Sequence, residues 1–278
     1  MRVFIGPAGI PLSCKNCDNL KGVEKVAELG LNAMEVEFVR GVTLTNEKAK
    51  EVGKRARELD VKLSVHAPYF INLCSDDKKK VEASIKRILD SVERARYLKA
   101  WIVVVHPGYY GKSKERAEEN IRSSLSLLEK KVRRFKSVKV GLETMGRQSQ
   151  YGTLEEIVEH CKRHSFLHPV VDFAHIYARN GGKIDYKYIF DTLISELGIR
   201  KFHTHFTGVK FKQLFEGGNE PKHLTLDEAK GPDFRELACV LSDYEGDIEE
   251  ITIISESPVL EQDAIKMLEI LKEYGVVQ

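Results

Sequence analysis

The side chains with most chemical potential are imidazoles and carboxylates that close apolar runs. In Pro169-Val170-Val171-Asp172-Phe173-Ala174-His175, two β-branched residues suited to a strand covered on both faces run into Asp172, and His175 follows three positions on. A carboxylate there is costly unless hydrogen bonds or a cation meet it. Asp-x-x-His alone says little; repetition gives it weight. Val65-His66-Ala67 closes on His66, Ile102-Val103-Val104-Val105-His106 on His106, and Val140-Gly141-Leu142-Glu143 on Glu143. Phe202-His203-Thr204-His205-Phe206 carries two histidines on one face by period-two alternation, and Ile251-Thr252-Ile253-Ile254-Ser255-Glu256 closes on Glu256. Taken singly, each histidine reads as a hydrogen-bonded core or rim group, and each glutamate as a helix cap or a partner for lysine. Six consecutive strands closing this way point instead to converging donors, which without a cation would repel or stay unsatisfied. A mixed His/Asp/Glu set suits zinc, manganese or iron; magnesium prefers oxygen ligands, and thiolates are absent from the set.

With the downstream His223, the candidate ligands are His66, His106, Glu143, Asp172, His175, His203, His223 and Glu256. These are too many for one ion, so two or three ions sharing a carboxylate are expected, with Glu143 in the middle strand as the bridge. Clustered ions suit phosphate-ester hydrolysis: they bring the pKa of water down to roughly 7, neutralise the phosphate and stabilise the leaving oxygen.

The elements that must position these residues alternate along the whole chain. Strands are expected at 3–8, 33–38, 62–67, 101–107, 139–145, 169–173, 201–206 and 250–256. Between them, helical periodicity with charged outer faces runs over 23–29, 46–59, 78–98, 114–134, 153–163, 186–197, 232–242 and 260–274. Thr45 and Ser113 stand at N-cap positions, and Thr153 with Glu156 forms a capping-box pattern. Eight strand–helix units predict a (β/α)8 TIM barrel, α/β in class, with residues 1–278 as a single domain. The rival, an open doubly wound sheet, wants a glycine-rich phosphate loop after the first strand; Gly6-Pro7-Ala8-Gly9-Ile10-Pro11-Leu12 has no such fingerprint. The stretch 208–231, with Gly217-Gly218-Asn219-Glu220-Pro221, reads as a long loop over the barrel mouth. Active sites of these barrels lie at the C-terminal strand ends, where the candidate ligands fall.

Composition excludes little: 42% hydrophobic and 31% charged residues with a net charge of +2 do not announce nucleic-acid binding, so any basic surface must come from local clustering. No apolar run approaches the roughly 20 residues that span a bilayer, and Met1–Gly6 reads as a strand, not a secretion signal. Five scattered cysteines suit a reducing, cytoplasmic setting. Cys14-x-x-Cys17 lacks the second pair that a structural zinc site wants and lies in a loop unlike a thioredoxin context.

These stretches resemble the endonuclease IV family of apurinic/apyrimidinic endonucleases, within the xylose-isomerase-like barrels. The likeness rests on His66-Ala67-Pro68-Tyr69-Phe70-Ile71-Asn72-Leu73, Val105-His106-Pro107-Gly108, Gly141-Leu142-Glu143-Thr144, Val171-Asp172-Phe173-Ala174-His175, His203-Thr204-His205 and Ser255-Glu256-Ser257-Pro258. The resemblance implies a three-zinc site. His66 and His106 would hold one ion with Glu143 bridging; Asp172, His203 and Glu256 would hold the second; His175 and His223 would serve the third. It also implies a DNA substrate containing abasic sites, contacted by Tyr69 and Arg40, and cleavage 5′ to the lesion by metal-bound hydroxide. Two positions depart from the pattern. Pro221-Lys222-His223 lacks the acid that precedes the last histidine, unless Glu220 replaces it, and His205 stands where the family has Asn.

Phosphate contacts would come from Arg40, Lys112, Arg147, Arg179, Lys183, Lys210, Lys212 and Lys222 in the top-side loops, while Tyr109, Tyr110 and Phe211 would wedge against bases or line the loops. A monomer is expected, with no membrane partner. Two other readings remain: a single-metal sugar isomerase or epimerase built on Glu143, Asp172, His203 and Glu256, and a damage-binding scaffold that keeps its metals structurally.

Overall fold

Short runs of Val, Ile and Leu, buried on both faces, form eight parallel strands in the computed structural model, which describes residues 1–215 and 217–277. They are β1 (Arg2–Pro7), β2 (Ala33–Glu37), β3 (Lys62–His66), β4 (Ile102–Val105), β5 (Lys139–Glu143), β6 (Leu167–Asp172), β7 (Lys201–Phe206) and β8 (Glu250–Ser255). From β2 to β8 each pairs with its sequence neighbour, and β8 pairs with β1. The seam between β1 and β2 closes through a parallel bridge from Ala8 to Glu35 and through the Asn32 amide, which accepts from the Ile5 N–H (2.7 Å) and donates to the Val3 carbonyl (3.0 Å). The result is the (β/α)8 barrel that the alternating pattern predicts.

Parallel strands need crossovers, and amphipathic helices supply them. In chain order these are α1 (Asn19–Glu28), α2 (Asn46–Glu58), α3 (Lys78–Leu98), α4 (Lys114–Val132), α5 (Leu154–Arg163), α6 (Phe173–Arg179), α7 (Tyr186–Leu197), α8 (Phe234–Asp243) and α9 (Glu261–Glu273). Thr45 and Ser113 cap α2 and α4 by accepting from the Lys48 and Arg116 N–H groups, and both bonds of the Thr153–Glu156 capping box are made. Helix α2 turns Ala49, Val52, Gly53 and Ala56 inward; a Cβ at Gly53 would lie 2.5 Å from the Leu98 carbonyl oxygen, so this helix can approach the end of α3 only with glycine there.

Three local expectations change. Phe173 does not end the sixth strand but opens the short α6, with Asp172 as its N-cap. The stretch expected to be a loop holds an antiparallel hairpin, Gly208–Gln213 with Gly218–Leu224. Cys14 and Cys17, expected in a reducing setting, are joined in a disulfide in the loop after β1. No described helix is long and apolar enough to cross a membrane.

Candidate metal centre

The strand ends deliver their polar residues to one mouth. His66 ends β3 with Nδ1 2.8 Å from the Ala67 carbonyl, which turns Nε2 toward Glu143 Oε2 at 3.5 Å. His106, just beyond β4, brings Nε2 to 2.9 Å from the same oxygen. Asp172 Oδ1 accepts from the His175 N–H at 2.7 Å, so the Asp-x-x-His spacing is that of an N-cap and the third helical residue. His175 Nδ1 faces the Thr144 carbonyl (2.8 Å) and its Nε2 faces Glu220 Oε2 (2.9 Å). His223 follows the same plan, with Nδ1 3.0 Å from the Glu256 carbonyl and Nε2 2.9 Å from Glu220 Oε1.

Four groups result, each with its donor atoms within 4.8 Å of one another: at the mouth His66, His106 and Glu143; Glu143, Asp172, His205 and Glu256; and His175, Glu220 and His223; and, deeper in the barrel, Glu35, His203 and His205. Glu143 belongs to two of them. The group around Glu143 and Asp172 takes His205 where His203 was expected, and His203 falls in the deeper group with Glu35. Both histidines of β7 point inward, but Asp172 pairs with His205, while His203 pairs with Val170 one layer deeper. There His203 Nε2 meets Glu35 Oε2 at 2.9 Å, and the same oxygen accepts from Ser64 Oγ at 2.6 Å. His205 Nδ1 lies instead 3.1 Å from Glu143 Oε1 and 3.0 Å from Glu256 Oε1. Glu220, one position before Pro221, is placed by the hairpin between His175 and His223.

A cleft of about 560 Å³ opens on these groups, walled by Glu37, Val39, Tyr69, Tyr109, Met145 and Arg147, among others. The Tyr69 ring sits 5.4 Å from that of His66 and 5.8 Å from that of His106. Arg40 is exposed in the loop after β2 and is not part of the cleft wall. Arg179, expected among the surface cations, is buried instead. Its Nη1 donates to the Met145, Arg147 and Gln150 carbonyls (3.2, 2.7 and 3.0 Å) and its Nη2 to Tyr110 Oη (3.1 Å), clamping the loop that walls the cleft. Tyr110 is buried as well and donates to Glu156, so it is not free to wedge against a base. Phe211 packs edge-on against Tyr177. Lys112, Arg147, Lys183, Lys210, Lys212 and Lys222 are exposed. Glu35 and Glu37 lie outside the ligand set expected from sequence, although acids alternating through Met34-Glu35-Val36-Glu37 carry the same signal as the other strand ends.

The donors fit divalent cations. With Nδ1–H donated to a main-chain carbonyl, a neutral His66, His175 or His223 turns an Nε2 lone pair toward a carboxylate oxygen. Acceptor then faces acceptor unless a proton or a cation lies between. Glu143 Oε2, although 2.9 Å from His106 Nε2, is off the line of a hydrogen bond, and Asp172 Oδ2 also lacks a partner; both are buried. Burial would push the Glu143 carboxyl up, but the His106 and His205 imidazoles overturn this and hold it well below the usual range. Burial, opposed by His175 and reinforced by Glu256 and Glu143, pushes Asp172 up to about 7. Burial alone would depress His66, but Glu37 and Glu143 push it up to about 10; for His223, Glu220 and Glu256 outweigh burial and give about 9. Without metal the site stores protons where cations would sit, and metal binding releases them.

The chain belongs to the xylose isomerase-like TIM barrel family, whose profile matches residues 23–274. Within it, the chain is 33% identical to an uncharacterized protein of Methanocaldococcus jannaschii, over 98% of this chain and 97% of that protein. It is 35% identical to a probable endonuclease 4 of Clostridium botulinum over 104 residues, 37% of each chain. Among solved structures, a D-tagatose 3-epimerase-like protein superposes with a TM-score of 0.73 at 24% identity, covering 99% of this chain and 97% of that one. Endonuclease IV from Thermus thermophilus superposes with a TM-score of 0.71 at 22% identity, covering 99% of both chains. These two superpositions show the shared barrel alone.

Proposed function

We propose that the protein is a metal-dependent endonuclease that hydrolyses the DNA phosphodiester 5′ to abasic sites. The observation that carries this reading is the set of three ligand groups at the mouth, two of them sharing Glu143, since one cleft holds donors for more than one ion. His66, His106 and Glu143 would hold one ion; Glu143, Asp172, His205 and Glu256 a second; His175, Glu220 and His223 a third. Zinc fits this nitrogen–oxygen set, as do manganese and iron. When bound, such ions activate water near neutral pH and neutralise phosphate charge.

The chain's own residues do the rest. The main-chain carbonyls of Ala67, Thr144 and Glu256 fix the orientation of His66, His175 and His223. Tyr69 covers the His66–His106 side of the cleft, and its half-exposed ring is placed to meet a nucleotide entering it. Exposed Lys210 and Lys222 on the hairpin offer phosphate contacts. An abasic nucleotide reaches such a cleft at low cost because it has no base to unstack. The likeness to endonuclease 4 relatives supports the same substrate.

The test is a duplex oligonucleotide with one abasic position: a nick 5′ to the lesion leaving a 3′-hydroxyl is expected, and no nick with zinc or manganese from about pH 6 to 9 would refute the proposal. A second reading has its own observation. Glu143, Asp172, His205 and Glu256 by themselves make a complete one-ion set, as a sugar epimerase requires. One tightly held ion with turnover of a ketose, and no nicking, would favour it.

A further inference from the structure

Beneath the mouth lies a layer that the proposed chemistry does not use. Glu35 on β2, Ser64 on β3 and His203 on β7 meet in the barrel interior, all buried. Glu35 Oε2 accepts from Ser64 Oγ (2.6 Å) and faces His203 Nε2 (2.9 Å), while Oε1 has no hydrogen-bond partner. The atom nearest to Oε1 in this network is His205 Nε2, 2.9 Å away but out of line, and it too is buried without a partner. The other nitrogen of His205, Nδ1, lies 3.1 Å from Glu143 Oε1 and 3.0 Å from Glu256 Oε1. One ring therefore spans two carboxylate environments, the mouth on its Nδ1 side and Glu35 on its Nε2 side.

We infer that Glu35 is a positioning residue: when His205 gives its Nδ1 lone pair to a cation held with Glu143, Asp172 and Glu256, the ring turns its Nε2 proton into line with Glu35 Oε1, 2.9 Å away. The inference rests on the metal-centre reading. A neutral imidazole carries one proton, and a ring that gives Nδ1 to a cation must keep that proton on Nε2. In a dry interior the proton needs an acceptor, and Glu35 Oε1 is the buried acceptor with unused capacity beside it. A carboxylate behind a ligating imidazole fixes its tautomer and raises its basicity. His203 completes the arrangement: its Nε2–H occupies Oε2 and holds the Glu35 carboxylate so that Oε1 faces His205.

Glu35→Gln preserves shape and tests the inference. With its NH2 toward His205, the amide opposes the Nε2 proton and drives it to Nδ1, against Glu143 and Glu256. With the amide turned over, the NH2 would oppose both the Ser64 hydroxyl and His203 Nε2–H, two donors rather than one, so the first orientation is favoured. The variant therefore loses affinity for one ion, by about 10- to 100-fold on the scale of other residues that support metal ligands. The measurement is zinc retained per chain against a competing chelator, for wild type and Glu35→Gln, with circular dichroism as the folding check. Equal retention by Glu35→Gln and wild type overturns the inference.

A second readout, on wild type alone, covers failure of the variant to fold. In cadmium-113-loaded protein with 15N-labelled histidine, His205 should show a protonated Nε2 and coupling of Nδ1 to the metal. A protonated Nδ1, or an Nε2 bound to an inner ion shared with His203 and Glu35, overturns it. Wild type that binds no metal at all removes the metal-centre reading as well, whereas metal binding indifferent to Glu35 removes only this inference.

Discussion

Gly146→Ala should take away one ion and leave the others. Gly146 lies in the loop after β5, and its carbonyl accepts from the Glu220 N–H at 3.3 Å. A Cβ built there lies 2.7 Å from Glu220 Oε2 and 2.9 Å from His175 Cδ2, where ordinary contact begins at 3.4 Å. The backbone at 146 is not in the left-handed region, so the effect is steric. Glu220 cannot easily retreat: its Oε2 is 2.9 Å from His175 Nε2, its Oε1 is 2.9 Å from His223 Nε2, and its carbonyl accepts from Arg147 Nε at 3.2 Å. Overpacking of a well-filled site costs about 1–3 kcal/mol. Since about 1.4 kcal/mol is tenfold, affinity at His175, Glu220 and His223 should fall by about 5- to 150-fold. The two groups joined at Glu143 share no ligand with this one and should keep their ions. Equilibrium dialysis with metal analysis reads this directly. Unchanged stoichiometry and affinity, or loss of every ion from a folded protein, would refute the reasoning.

Other outcomes follow from the same geometry. Glu143→Ala should abolish nicking and lower metal content by more than one ion, because this carboxylate serves two groups; loss of a single ion would show that it does not bridge. Stability of the metal-free protein should fall between about pH 7 and 10. His66 at about 10 and His223 at about 9 are raised above the usual value of 6.5, so their contribution is complete below that value and is lost as pH rises through the folded pKa values. Metal affinity should rise over the same range, and a metal-free Tm that is flat or rising would contradict this. Arg179→Met strands the Met145, Arg147 and Gln150 carbonyls, at about 1–3 kcal/mol for each buried group left unpaired. Thermal unfolding should show the loss, and nicking should weaken as the cleft wall loosens; an unchanged Tm would show that water replaces the guanidinium.

Much of the barrel was legible because buried parallel strands read as short apolar runs, and each ligand-bearing strand end broke its run with a charge. His203 and His205 show where that reading stops. Period-two alternation places both on the inner face, but only the pairing of Asp172 with His205 says which reaches the mouth, and register is a property of the assembled sheet. The hairpin carrying Glu220 and His223 reads as a loop from its glycines, although Val209-Lys210-Phe211-Lys212 alternates ahead of Gly217-Gly218. Arg179 looked like any surface arginine. Its burial depends on three carbonyls converging from a loop more than twenty residues earlier, which no local pattern reveals.

The measurement that bears most directly on the central idea is anomalous scattering at the zinc edge from crystals grown with zinc. Peaks should fall within His66/His106/Glu143, within Glu143/Asp172/His205/Glu256 and within His175/Glu220/His223. No peak in the cleft, or density beside His203 with none beside His205, would contradict the account.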